Sequence, residues 1–147
     1  VPKELGVRHV LYTKVQSWGF GPGGNETGVI VYALPDSISQ KIQKNGIRQI
    51  LGLPGEERAH ESGPGHSDSW QATPLKLEGL DENLNTIMSD QISHFLNRYG
   101  FGVEIDPQIE QQMNRSISQS GSFATLGRNG VLIVSPALGK AFYVFNG

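Results

Sequence analysis

Apolar positions fall along this chain in three patterns, and each predicts a different kind of element. Residues 7–18 are rich in Val, Tyr, Thr and Trp, which suits a half-buried strand. Residues 28–34 read GVIVYAL, a continuous apolar run of the kind carried by a strand covered on both faces. Between them lies a glycine-rich connection at 19–28, so the two runs predict a long hairpin with a wide loop. Ile38 and Ile42 stand at i, i+4 and predict a helix with Asp36 as N-cap and Gly46 as the residue that ends it. Ile47, Ile50, Leu51 and Leu53 follow at a spacing that fits either a helical turn or a short strand.

The second half repeats these signals. Residues 70–77 predict a short strand, which Pro74 restricts to an edge or an irregular segment. Leu84, Ile87, Met88, Ile92, Phe95, Leu96 and Tyr99 keep 3,4 spacing and predict the strongest helix, with Asp81 as N-cap and Gly100 at its end. Phe101, Val103 and Ile105 alternate as a strand. Asp106-Pro107 is an N-cap and first-turn pair for another helix, whose apolar stripe is Ile109, Met113 and Ile117. Three strands at 122–126, 131–135 and 141–145 then form a β-meander, with Asn129-Gly130 as the first turn and 136–140 as the second. Helices and strands do not alternate strictly. The pattern predicts one α+β domain over residues 1–147, with a largely antiparallel sheet, two to three helices and a C-terminal three-stranded meander.

One stretch fits no period. Residues 52–70 read GLPGEERAHESGPGHSDSW, with Leu53, Ala59 and Trp70 as the apolar side chains. An irregular segment of this length inside a domain is usually functional or disordered.

Composition narrows the function. A net charge of −2 with no cluster of Lys or Arg argues against nucleic acid as partner. The longest apolar runs are too short for a membrane span. The chain has no cysteine, which removes disulfides, thiolate catalysis and Cys-ligated zinc. The same absence, together with a start at Val1 rather than Met, leans toward an extracytoplasmic location. No cofactor fingerprint is present: Gly19, Gly21 and Gly24 match GxGxxG, but a strand follows rather than the required helix.

Candidate chemistry concentrates on the two irregular connections. His60 and His66, with Glu56, Glu57, Glu61 and Asp68 close by, supply ligand types that suit zinc or another divalent ion. His66 and Asp68 beside Ser62, Ser67 or Ser69 also supply the parts of a hydrolytic site, but no Gly-x-Ser-x-Gly elbow accompanies them. The bland alternative is a solvated polar loop. Trp18, Phe20 and Trp70 flank the two connections, and if the loops meet, these rings line a pocket for a protein or small-molecule ligand. If they do not meet, the rings cover the ends of the core.

Three functions follow as expectations. The first is a non-catalytic binding or interaction module that uses loops 19–28 and 52–70, with Trp18, Phe20 and Trp70 on the ligand. The second is a small hydrolase or metal-dependent enzyme that uses His60, His66 and nearby carboxylates. The third is a structural subunit of a homo-oligomer, paired across an edge formed by the apolar C-terminal strands.

Overall fold

The computed structural model of the chain describes residues 1–19, 25–53, 70–74, 92–96, 103–127 and 130–146. A six-stranded antiparallel sheet organises them. Its strands are β1 (Val10–Trp18), β2 (Asn25–Ala33), β3 (Gln71–Ala72), β4 (Phe123–Gly127), β5 (Gly130–Ser135) and β6 (Lys140–Asn146). Their order across the sheet is β1-β2-β6-β5-β4-β3, so the last strand of the chain inserts beside β2 near the centre. One ladder row crosses the whole sheet: Gln71, Ala124, Ile133, Phe142, Val31 and Tyr12.

Helices cover both faces. On one side lie α1 (Asp36–Asn45) and α2 (Ile47–Ile50), and on the other α3 (Ile92–Leu96) and α4 (Pro107–Ser118). Ile92, Leu96, Met113 and Ile117 pack against Val29, Val31, Ile133, Phe142 and Val144. Leu5, Ile42 and Ile47 pack against Leu34, Leu132, Val134 and Ala141 on the opposite face. β5 is therefore buried on both sides along its whole length, which is why Val131 to Val134 carries no polar alternation. The fold is α+β with an antiparallel sheet and a C-terminal β4-β5-β6 meander, as the pattern predicts.

Local signals explain several element ends. The Asp106 carboxylate accepts the Gln108 N–H at 2.8 Å and Pro107 opens α4, the predicted cap pair. Gly46 takes φ +82° and its N–H reaches the Ile42 carbonyl, so the chain turns from α1 directly into α2. That junction resolves residues 47–50 as a helical turn.

Other expectations need correction. Pro35, not Asp36, occupies the N-cap position of α1, because helical geometry already includes Asp36. The first hairpin loop is narrower than 19–28, since Asn25, Glu26 and Thr27 pair with Trp18, Ser17 and Gln16. Gly127 pairs with Gly130, so Gly130, expected in the turn, already belongs to β5. Val103 and Ile105 are buried but belong to no strand among the described residues; Ile105 packs in the core with Met113 and Ile117 of α4. β5 and β6, expected at a dimer edge, are interior strands, and among the described residues the edges are β1 and β3. Within the predicted helix from Leu84 to Tyr99, the described residues are those of α3. Asp81 and Gly100 lie outside the described residues.

Candidate ligand-binding cavity

A cavity of about 390 Å³ opens where the α1–α2 junction meets the β3 edge. Sequence-local hydrogen bonding shapes its first wall. The Leu51 N–H donates to the Ile47 carbonyl, the Gly52 N–H to Gln49 and the Leu53 N–H to Arg48. Gly52, at φ +66°, lets the chain fold back so that Leu53 faces the cavity instead of continuing a helix. Asn45, Gly46, Ile47, Arg48 and Gln49 complete this side.

The second wall comes from the sheet. Ala72 of β3 pairs with Phe123 of β4, and Trp70 precedes β3; all three residues line the cavity. Trp70 and Phe123 also pack against the α1–α2 core, so their rings are held from behind. β3 is only two residues long, and Thr73, which follows it, is tied to the chain beyond α4. The Thr73 hydroxyl donates to the Gln119 carbonyl at 2.6 Å and accepts the Ser122 N–H at 3.1 Å, and the Thr73 N–H donates to the Ser122 carbonyl at 2.9 Å. A cis peptide joins Thr73 to Pro74.

The described lining combines apolar and hydrogen-bonding groups. Ile47, Leu53, Trp70 and Phe123 offer apolar surface, while the amides of Asn45 and Gln49 and the Arg48 guanidinium offer hydrogen bonds. Arg48 already makes an interaction within the chain. None of the described residues lining the cavity is a nucleophile, a carboxylate or a histidine. Among the described residues no three His, Asp or Glu side chains gather in a group that could hold a metal ion.

The sequence-derived candidates separate in space. Trp70 borders the cavity, and so does Leu53, so segment 54–69 leaves and re-enters the described structure at this site. Trp18 ends β1, on the opposite edge of the sheet. Five strand spacings separate β1 from β3, roughly 24 Å, and Trp18 lies six residues beyond Tyr12 of the row that reaches Gln71. The structure does not bring Trp18 and Trp70 together. Phe20, His60, His66 and Asp68 lie outside the described residues. Glu104 and Asp106 are both exposed, and Asp106 serves as the α4 cap. Sequence reasoning passed over Asn45, Ile47 and Phe123, because a helix end, a helix start and a strand residue give no joint signal until the fold places them side by side. No helix among the described residues is long and apolar enough to cross a membrane. Comparison of the chain with protein-family models, with curated proteins and with solved structures gave no match.

Proposed function

We propose that this chain is a non-catalytic binding module whose ligand is a small molecule with a planar apolar group and a hydrogen-bonding edge. The observation that carries this reading is the cavity itself. Its volume lies in the range that accommodates small ligands, and two aromatic residues, Trp70 and Phe123, line it beside the amides of Asn45 and Gln49. An aromatic wall favours a flat partner through offset stacking, and the amides orient that partner's polar edge. Leu53 and Trp70, near the two ends of the 52–70 connection, both line the cavity, and this supports a part for that segment in binding.

The test is a titration of planar aromatic acids and amides, followed by amide chemical shifts. Binding in the cavity moves the resonances of Ile47, Arg48 and Ala72 and the indole N–H of Trp70. Trp70→Ala weakens that binding about tenfold or more, equivalent to about 1.4 kcal/mol, while the remaining spectrum stays dispersed. Saturable binding that moves only residues far from α2 and β3 overturns the assignment. So does a Trp70→Ala protein that is folded and binds as well as the parent.

A further inference from the structure

The two edges of the sheet differ sharply. β3 is two residues long and runs into Thr73-Pro74, and a short strand followed by proline is one of the ways a sheet edge is kept from pairing. β1 is nine residues long, and among the described residues no strand pairs with its outer side. It also carries exposed aliphatic side chains: Val10 is 57% exposed, Leu11 54% and Val15 39%. A long edge of this kind is a template for another strand.

We infer that β1 pairs antiparallel with β1 of a second copy of this chain, about a two-fold axis at Val15, to give a continuous twelve-stranded sheet. The backbone phase supports this axis. The Lys14 carbonyl oxygen is turned toward β2, 2.5 Å from where a Cβ on Gly28 would sit. N–H and C=O groups of successive strand residues point to alternate sides, so those of Thr13, Val15 and Ser17 point away from β2. An axis at Val15 lets Val15 exchange both backbone bonds with its own copy, and Thr13 exchange both with Ser17 on each side. Six orphan donors and six orphan acceptors are satisfied together.

The side chains fit the same register. A bulge lies between Val10 and Tyr12, and the regular run from Tyr12 to Trp18 has Val15 at its midpoint. Val15 meets Val15, Thr13 meets Ser17, and Lys14 meets the neutral Gln16. An axis one residue earlier sets Lys14 against Lys14, and like charges directly opposite are destabilising. Backbone phase admits axes at Thr13, Val15 and Ser17, and the pairing about Val15, the midpoint of the regular run, engages the most residues. It does not depend on the occupant of the cavity on the other edge.

The test uses the full chain. Sedimentation velocity at about 0.1 mM gives twice the 16.0 kDa chain mass for the parent protein. Val15→Lys, at an exposed site, gives the monomer mass, and mixing it with Val15→Glu restores the doubled mass. The cysteine-free sequence allows a second measurement independent of those variants. In a hydrogen-bonded pair the two Cα atoms stand about 5.5 Å apart, within disulfide range, so Val15→Cys cross-links under mild oxidant and Gln71→Cys does not. A monomeric parent at this concentration overturns the inference. A dimer that survives Val15→Lys, or that leaves Val15→Cys uncross-linked, also overturns it.

Discussion

The ring of Phe145 lies over the backbone of Gly28. The two residues are paired across β6 and β2, and a Cβ built on Gly28 would stand 3.0 Å from Phe145 Cζ. Gly130 pairs with Phe145 from the other flank, so Phe145 has a glycine partner on both neighbouring strands. It also stacks on Tyr143, with centroids 5.3 Å apart and the planes 25° from parallel. The last strand of the chain fits between β2 and β5 at this level because both neighbours lack a side chain there.

Gly28→Ala therefore destabilises the protein. The Phe145 ring can move, but the Lys14 carbonyl oxygen, 2.5 Å from the new Cβ, belongs to the β1 backbone and cannot move without opening the β1–β2 ladder. The expected cost is about 1–3 kcal/mol, the usual range for overpacking. It is read as a lower urea midpoint with an unchanged slope. A midpoint equal to the parent's would show that β1 yields without penalty.

Ser39→Ala is expected to work in the opposite direction. Ser39 is buried on α1, and its hydroxyl makes no hydrogen bond among the described residues. Removing an unsatisfied polar group from a helix interior in favour of the best helix former stabilises by about 1 kcal/mol. Thermal unfolding followed by circular dichroism should rise by about 3 °C in a domain of this size. A fall instead would mean that the hydroxyl has a partner.

Legibility in the sequence tracked how local each signal was. The start of α4 was readable because Asp106 and Pro107 act on the next two residues. The meander was readable because β4, β5 and β6 are joined by short turns and lie side by side. What could not be read was partnership at long range. The insertion of β6 beside β2 is set by contacts such as Val31 with Phe142, more than a hundred positions apart. The apolar character of β5 and β6 fits an interior strand as well as a sticky edge, and it was the topology that chose between them. Ile105 alternates with Val103 as a strand residue does, but burial against α4 satisfies the same pattern without a ladder. The cavity illustrates the limit most directly. Trp70 drew attention as an aromatic beside an irregular segment, while Phe123 became part of the site only through its pairing with Ala72.

Asp106→Ala removes the α4 cap and should cost about 1 kcal/mol. The Asp106 N–H also donates to the Tyr12 hydroxyl at 3.0 Å, which ties this helix start to the β1 edge. Asp106→Asn keeps an acceptor for the Gln108 N–H and should stay near parental stability. Amide hydrogen exchange at Gln108 separates the two cases: faster in the Ala variant, unchanged in the Asn variant. Equal protection in all three proteins would remove the cap from the account.

Thr73→Val tests whether the cavity wall depends on one hydroxyl. Valine keeps the shape of threonine, so packing is preserved and only hydrogen bonds are lost. The Gln119 carbonyl and the Ser122 N–H then lose their partner at a residue only 5% exposed, a cost of about 1–3 kcal/mol. Since β3 pairs with β4 through Gln71 and Ala72 alone, the loss should fall on this edge first. Exchange at Ala72 and Phe123 is expected to speed up well before exchange at Ile133 or Phe142 in the central strands. Affinity for any ligand seated against Trp70 should drop with it, although no lining residue has changed. Thr73→Ser retains the hydroxyl and should restore both the protection and the affinity. Uniform destabilisation of the whole sheet would instead make Thr73 part of the global core, and it would leave the position of β3 to the strand pairing itself.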